Sequence, residues 1–252
     1  MNFSNQIVLI TGGSRGIGKA AAVEFAKRQA TVVINYRQDE AAAEATLAQL
    51  PGTGHTTIRA NVCDPEEIRE MIETIVERYG RLDVVVNNAG LSMFHPVDEV
   101  DFEHWATSWR TTLETNLIAP ANVCFFAARQ MIRQGGGRIV NVSSRGAFRG
   151  EPTKPAYGAS KAGLNAMSQS LAKQLAPYNI FVGVVAPGFV ETDMAKVTLT
   201  AAERAAVMND CPLKRIAQPE EVAYAIAFLA SPGAEFMTGA ILDINGASYL
   251  RS

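Results

Sequence analysis

The feature that most restricts the fold of this chain is a glycine-rich turn between a strand-like run and a helix-like run. Gln6–Ile10 is short and mostly apolar, and Thr11-Gly12-Gly13-Ser14-Arg15-Gly16-Ile17-Gly18 follows it. Ile17, Ala21 and Phe25 then recur at the spacing of one helix face. Glycines let the backbone approach a pyrophosphate, and the first turn of a helix offers unpaired N–H groups with partial positive charge. The pattern predicts a dinucleotide-binding strand–turn–helix unit; the alternative is a tight turn without a ligand.

Strand-like and helix-like runs alternate along all 252 residues. We therefore predict an α/β, doubly wound Rossmann fold with a parallel sheet of about seven strands, helices on both faces, and ligands at the carboxyl ends of the strands. Residues 1–252 are expected to form a single domain. The predicted strands are Gln6–Ile10, Thr31–Asn35, His55–Ala60, Leu82–Val86, Arg138–Ser143, Ile180–Ala186 and Ile241–Ile244. The predicted helices are Ile17–Arg28, Asp39–Gln49, one that begins at Asp64, two within Asp101–Gln134, Tyr157–Ala176 and Pro219–Ala230. Phe189–Leu213 shows no firm period and is expected to cover the strand ends.

Composition excludes several classes of function. A net charge of −2 provides no basic surface for nucleic acid or an anionic membrane. No apolar run approaches the ~20 residues that a membrane span needs. The three cysteines and three histidines lack the spacing of a disulfide framework or a metal site. We expect a cytoplasmic protein without a signal peptide, a bound metal, a nucleic-acid partner or a membrane partner.

The end of the second predicted strand indicates which dinucleotide would bind. In dinucleotide folds an acid at this point binds the ribose 2′-hydroxyl, whereas arginine favours a 2′-phosphate. Tyr36 stands where the acid would be, Arg37 follows it, and Arg15 lies in the glycine turn. These residues favour NADP over NAD; the alternative is that both arginines are solvated surface residues.

Polar residues follow or lie between other predicted strands. Asn87-Asn88-Ala89-Gly90 caps the fourth strand, where the asparagines could bridge strand ends and Gly90 could let backbone approach a ligand. Asp64 precedes Pro65 and reads as a helix cap, although its place after a strand would also let it lie near an adenine. Asn116 stands within a helical stretch, where it either meets a local hydrogen-bond need or serves a site.

A hydroxyl, a phenol and an amine mark the second half of the chain. Ser143-Ser144 ends the fifth predicted strand, and Tyr157 and Lys161 follow four residues apart on a predicted helix. Residues at this spacing project from one helix face, so the two side chains can share a pocket. A neighbouring ammonium favours the phenolate, and we expect Lys161 to lower the pKa of Tyr157 toward the range of a general acid–base catalyst. The spacing alone arises easily by chance.

Taken together, the motifs resemble the short-chain dehydrogenase/reductase family in its single-domain form, and most nearly its bacterial 3-oxoacyl-[acyl-carrier-protein] reductase-like members. The resemblance covers essentially the whole chain. It rests on six motifs in order: Thr11-Gly12-x3-Gly16-x-Gly18, Asn87-Asn88-Ala89-Gly90, Asn116, Ser144, Tyr157-x3-Lys161 and Pro187-Gly188.

The resemblance implies an oxidoreductase that interconverts a ketone and a secondary alcohol. Tyr157 would be the general acid and base, and Lys161 would lower its pKa and bind the nicotinamide ribose. Ser144, selected over Ser143 by its thirteen-residue separation from Tyr157, would polarise the carbonyl. Asn116 would hold a water that resupplies protons through Lys161. The implied cofactor contacts are Gly12, Ser14, Arg15, Ile17, Arg37, Val62, Asp64, Asn88, Ala89, Gly90, Tyr157, Lys161, Pro187, Gly188, Val190 and Thr192.

The substrate and the assembly are less constrained. The resemblance implies a homotetramer and a small carbonyl or alcohol substrate, with an acyl carrier protein as one option. Gly135 and Tyr178 stand where carrier-binding relatives have basic residues. Alternative functions are a non-catalytic redox sensor that binds the dinucleotide, and a dehydratase or epimerase. Side chains that could line a substrate space are Met93, Phe94, His95, Phe148, Phe189 and Met194.

Overall fold

The computed structural model describes residues 1–192 and 200–251. Within them, seven parallel strands form one sheet in the order β3-β2-β1-β4-β5-β6-β7. The order reverses between β1 and β4, and ligands of doubly wound sheets bind outside the carboxyl ends of the strands at such a point. The strands are β1 (Ile7–Ile10), β2 (Thr31–Tyr36), β3 (Thr56–Arg59), β4 (Val84–Asn87), β5 (Gly137–Val142), β6 (Ile180–Pro187) and β7 (Ile241–Ile244).

Helices cover both faces of this sheet. They are α1 (Gly16–Lys27), α2 (Glu40–Leu47), α3 (Pro65–Tyr79), α4 (Phe102–Leu113), α5 (Ala119–Gln134), α6 (Gly146–Arg149), α7 (Pro155–Leu175), α8 (Ala201–Asp210) and α9 (Pro219–Ala230). A π-helical stretch, Glu114–Ile118, joins α4 to α5, and short 3₁₀ helices span Ala176–Tyr178 and Glu235–Met237. No helix among the described residues is long and apolar enough to cross a membrane.

Two apolar cores lie on opposite faces of the sheet. On one face, α1 and α9 pack on residues such as Val8 and Ile34. On the other face, α3, α5 and α7 pack on residues such as Leu9 and Val85. Central strands buried on both faces need no polar alternation, which explains their continuous apolar runs. The two cores fix the strand ends relative to one another and so position the loops that follow the strands.

The predicted strands and the predicted helices are confirmed to within two residues at each stated boundary. Two helices lie in segments where the sequence predicts none. The segment Phe189–Leu213 contains α8, which Thr200 and Glu203 start with a reciprocal capping box. The loop between Ser144 and Pro155 contains the one-turn helix α6. Capping boxes are visible in sequence, so α8 had a local signal that a search for apolar periodicity did not use. Asp193 and Met194 lie outside the described residues.

Candidate active site

A cavity of about 780 Å³ runs along the carboxyl ends of the strands on both sides of the reversal point. Its volume is within the range of small-molecule and cofactor sites. It brings together all but two of the residues predicted for the site. Those that line it are Gly12, Ser14, Arg15, Ile17, Arg37, Val62, Asn88, Ala89, Gly90, Ser144, Tyr157, Lys161, Pro187, Gly188, Val190 and Thr192.

The glycine turn forms one end of this cavity. Gly12 and Gly16 have φ angles of 60° and 53°, a conformation that disfavours side chains with a Cβ. A Cβ at Gly18 would lie 2.4 Å from the carbonyl oxygen of Gly12, so only glycine lets α1 pack against the turn. The N-cap residue Arg15 makes no side-chain cap bond, and the first turn of α1 has no acidic residue. The first N–H groups of α1 therefore fit an anionic pyrophosphate.

The end of β4 is tied to the glycine turn by the hydroxyl of Thr11. That oxygen accepts hydrogen bonds from the backbone N–H groups of Asn88 (3.0 Å) and Ala89 (3.1 Å). The Asn88 amide donates in return to the carbonyls of Thr11 and Gly12, each at 3.0 Å. Asn87 bridges β4 to β5 through the side chain of Asn141 at 2.8 Å, as the sequence suggested. The two halves of the cavity floor are thus held in register.

The adenine-side end of the cavity carries charged residues after β2. Arg15 and Arg37 both line it, and Arg15 also pairs with Asp39 at 2.6 Å. The Arg15 and Asp39 side chains are 57% and 48% exposed, so this ion pair contributes little stability and can be replaced by another anion. Asp39 is not among the predicted site residues, because its place at the start of a helix indicates only a helix cap, a role that it also has through Ala42.

The two adjacent serines face different surroundings. Ser144 lines the cavity together with Tyr157, accepts a hydrogen bond from the Gly146 N–H at 3.0 Å, and lowers the pKa of the Tyr157 phenol. The Ser143 hydroxyl donates to the carbonyl oxygen of Lys161 at 3.3 Å, inside the protein. The hydroxyl pair at the cavity is therefore Ser144 and Tyr157.

Burial controls the ionisation of Tyr157 and Lys161. Burial raises the pKa of Tyr157, the hydrogen bond from Ser144 lowers it, and the nearby carboxylate of Glu151 raises it. The predicted lowering of the Tyr157 pKa by Lys161 is wrong here, because the cost of burying a phenolate prevails. Burial also lowers the pKa of Lys161 to about 8. The Lys161 ammonium donates to the Val142 carbonyl at 2.8 Å and lies 5.8 Å from the centre of the Tyr157 ring.

Asn116 lies behind the cavity rather than on its wall. It stands in the π-helical stretch, and its amide exchanges two 2.9 Å hydrogen bonds with the backbone of Leu91 and donates to Ser160 at 3.2 Å. A Cβ at Gly90 would lie 3.2 Å from the Asn116 oxygen and 3.6 Å from the Lys161 nitrogen. Asn116 therefore fixes the loop after β4 to α7, beside Lys161.

Several predicted contacts lie elsewhere. Asp64 does not line the cavity: its carboxylate caps α3 by accepting from the N–H groups of Glu66 and Glu67. Of the six side chains proposed for the substrate space, Phe189 lines the cavity and Met194 is outside the described residues. The other four, Met93, Phe94, His95 and Phe148, are not on its wall. His95 is fully buried and its ring accepts a hydrogen bond from the Ala156 N–H at 3.2 Å. Whether such a side chain reaches the cavity depends on the path of its loop, and the apolar character of the residue does not indicate that path.

The substrate end of the cavity also contains residues that the sequence analysis did not single out. Arg145, Glu151 and Lys154 line it between Ser144 and Tyr157. The signal that could have identified them is their position in the sequence. All three lie between Ser144 and Tyr157, and the segment that connects these two residues must pass the reacting end of the site. Among the described residues no cluster could hold a metal ion, and all three cysteines are free.

Comparison with known proteins agrees with this geometry. A family model described as Enoyl-(Acyl carrier protein) reductase matches residues 12–247. A 3-oxoacyl-[acyl-carrier-protein] reductase of Synechocystis is 36% identical over 244 residues, 96% of each chain. The reductase FabG of Escherichia coli is 37% identical over 250 residues, 99% of this chain and all of that one. The chain belongs to the short-chain dehydrogenase/reductase family.

Solved structures support the same assignment. The crystal structure of gox2181 superposes with a TM-score of 0.91 at 30% identity, covering 98% of this chain and 96% of the other. A short-chain type dehydrogenase/reductase from Mycobacterium ulcerans gives the same TM-score at 30% identity over 98% of this chain and 91% of the other. The protein is an oxidoreductase of this family with a nicotinamide dinucleotide as its cofactor. The curated relatives favour the enzyme over the non-catalytic sensor.

Proposed function

We propose that this protein is an NADP-dependent carbonyl reductase or alcohol dehydrogenase that interconverts a ketone and a secondary alcohol. The observation that carries the proposal is that the Ser144 and Tyr157 side chains both line one end of a dinucleotide-sized cavity, with the buried amine of Lys161 behind them. The bound nicotinamide would supply hydride to the carbonyl carbon. The protein's residues bind and polarise the carbonyl and deliver a proton to its oxygen.

Each residue of the pair has a distinct role in reduction. Ser144 donates a hydrogen bond to the substrate carbonyl and orients it. The Tyr157 hydroxyl donates the proton, and the burial that raises its pKa keeps it protonated for this purpose. Lys161 returns a proton to Tyr157, since a pKa of about 8 lets the amine exchange protons near neutral pH. Asn116 keeps Lys161 and the loop after β4 in place, and its proposed water would continue the path to solvent.

The cofactor would lie along the cavity from the glycine turn to β6. The N-terminus of α1 would bind the pyrophosphate, and Arg15 and Arg37 would bind a 2′-phosphate. Arg15 would break its ion pair with Asp39 in order to bind this phosphate. This pair of arginines is the reason for proposing NADP over NAD. Val62 would contact the adenine. Asn88, Ala89 and Gly90 would follow the ribose, and the residues at the nicotinamide are Pro187, Gly188, Val190 and Thr192.

A 3-oxoacyl thioester is the second candidate substrate, because the relatives of this chain bear the name 3-oxoacyl-[acyl-carrier-protein] reductase. Presentation on a carrier protein has less support. Gly135 and Tyr178 provide no positive charge for an acidic carrier, and nearby Arg138 pairs with Glu235 at 2.7 Å. We propose a cytoplasmic enzyme, from its relatives, and a homotetramer, for which exposed apolar Ile118, Phe125 and Ile132 supply a surface.

Titration of the protein with NADPH and NADH, followed by turnover measurements with the preferred cofactor, tests this function. The panel should include simple ketones, hydroxyketones and a 3-oxoacyl thioester in free and carrier-bound form. We expect tighter binding of NADPH and oxidation of it by at least one ketone. Tight NADPH binding without turnover of any carbonyl compound would contradict the enzyme and favour the sensor. If only the carrier-bound thioester is turned over, the proposal of a small carbonyl substrate is wrong and the substrate is the carrier-bound thioester.

A further inference from the structure

The loop between the two hydroxyl residues brings a carboxylate to the reacting end of the cavity. Glu151 lines the cavity together with Ser144, Gly146 and Tyr157. It lies so close to Gly146 that a Cβ there would be 2.5 Å from its Oε1 atom. The N–H of Gly146 is the group that donates to the Ser144 hydroxyl. The carboxylate is therefore a neighbour of the position that a substrate carbonyl would occupy.

The nearby cations leave the oxygens of Glu151 available. Arg149 is 3.9 Å from Oε1, which is an ion pair without a hydrogen bond. Arg149 is also 3.7 Å from Asp210, at the end of α8. Arg145 donates to Ser248 at 2.5 Å and is 3.5 Å from Asp210. Within residues 1–192 and 200–251, no side chain donates a hydrogen bond to the Glu151 carboxylate, and its side chain is 22% exposed. A carboxylate of this kind can accept hydrogen bonds from a bound molecule.

The charge of Glu151 reaches the reacting groups. Its charge raises the pKa of Tyr157, and both side chains line the same cavity. An anionic group beside the substrate carbonyl would meet the same repulsion, whereas a hydroxyl would gain a charge-assisted hydrogen bond. Lys154, which lines the same end of the cavity, has its charge near Glu203 of α8.

We infer that Glu151 determines substrate choice by accepting a hydrogen bond from a hydroxyl group on the carbon next to the reacting carbonyl. Hydroxyketones are then preferred over ketones of the same size without the hydroxyl, and 2-oxo acids are disfavoured. This inference rests on the proposed carbonyl reductase function and names the substrate class of that site. Gly146 leaves room for the Glu151 carboxylate, because a larger residue at this position would displace it.

Three methyl ketones of similar size test the inference: hydroxyacetone, butanone and pyruvate. With NADPH, wild type should show a kcat/KM for hydroxyacetone about tenfold above that for butanone, the effect of one hydrogen bond to a charged group. Glu151→Leu should remove this ratio while retaining turnover of butanone. Glu151→Gln, which keeps an acceptor oxygen without the charge, should keep part of the ratio and raise the relative kcat/KM for pyruvate. Gly146→Ala should lower the ratio by displacing the carboxylate.

The control is Glu77→Gln, which removes one negative charge from the exposed side of α3. It should leave all three ratios at the wild-type value, and NADPH binding should show that each variant is folded. An equal hydroxyacetone-to-butanone ratio in wild type and Glu151→Leu would overturn the inference and leave the carbonyl reductase function intact. Absence of turnover by wild type with these three ketones and with a broader carbonyl panel, despite NADPH binding, would overturn both.

Discussion

At the scale of single residues, the candidate site works by desolvating two groups that ionise in opposite senses. Burial raises the pKa of the Tyr157 phenol and lowers that of the Lys161 amine to about 8. Both shifts favour the uncharged form, as the removal of each group from water requires. Tyr157 is then protonated and Lys161 easily deprotonated near neutral pH. The spacing of these residues in the sequence predicts that they lie close together. The direction in which the pKa of Tyr157 shifts depends on burial, and the spacing gives no information about burial.

The buried amine should cost stability at neutral pH. The folded-state pKa of Lys161 is about 8 and its ordinary value is 10.5, so the unfolded chain binds more protons between these limits and this group's contribution to stability rises with pH across them. Lys161→Met removes the cost and should be more stable than wild type at pH 7 by on the order of 2 kcal/mol, with the difference shrinking toward pH 10. Urea unfolding at both pH values measures it, with exposed Lys173→Met as the control. A less stable Lys161→Met variant at pH 7 would contradict the burial argument.

The carboxylate of Glu151 should set part of the pH dependence of reduction. Reduction requires protonated Tyr157, so its rate falls as pH rises through the Tyr157 pKa. Glu151 raises this pKa, and Glu151→Gln should therefore move the alkaline fall of kcat/KM to lower pH. The measurement is a pH profile with a ketone that lacks a hydroxyl, compared with Glu77→Gln. A profile that stays in place, or moves to higher pH, would show that the charge does not act on Tyr157.

At the scale of elements, the helix starts and strand ends form the site, and the sequence predicts them well. The turn before α1, the asparagines after β4 and the start of α7 all follow from local residue chemistry. The irregular connections are harder, because their direction depends on packing between elements. Asp64 illustrates the limit: it follows a strand and also caps α3, and its sequence position alone does not show which of these its carboxylate serves. The wall of the substrate space shows the same limit, since four of the six proposed side chains lie elsewhere.

The capping role of Asp64 predicts a stability effect without a cofactor effect. Asp64→Ala leaves the N–H groups of Glu66 and Glu67 without their acceptor and should lower the free energy of unfolding by about 1 kcal/mol. Asp64→Asn, which can still cap, should lose less. Both variants should bind NADPH as wild type does, in a fluorescence titration. A clear loss of NADPH affinity in Asp64→Asn would restore Asp64 as a cofactor ligand.

At the scale of the whole molecule, one sheet with a core on each face holds the strand ends as a rigid frame. The sequence predicts this fold class and sheet because the alternation of elements admits few topologies. The assembly is a different matter. Exposed apolar side chains such as Phe102, Phe125 and Ile132 occupy the outer surface of α4 and α5, where no element within residues 1–192 and 200–251 covers them. Apolar side chains of this kind are typical of surfaces that pack against another subunit.

We expect the protein to sediment as a homotetramer. Phe125→Glu should weaken the association by placing a charge on the exposed apolar surface of α5, while an equivalent change on α3, Glu77→Lys, should not. Sedimentation equilibrium at several protein concentrations distinguishes the species by mass. A wild-type protein that remains a monomer at the concentrations used for activity measurements would refute the tetramer.

The most direct test of the central claim is the substitution Tyr157→Phe, measured for both NADPH binding and turnover. This change removes one hydroxyl oxygen from a half-buried ring, so the cavity and its cofactor-binding end should persist. If the Tyr157 hydroxyl delivers the proton, the variant binds NADPH with nearly the wild-type Kd and its kcat for ketone reduction falls by at least about 10²-fold. Reduction at a rate near that of wild type, with NADPH bound, would contradict the assignment of Tyr157 as the general acid.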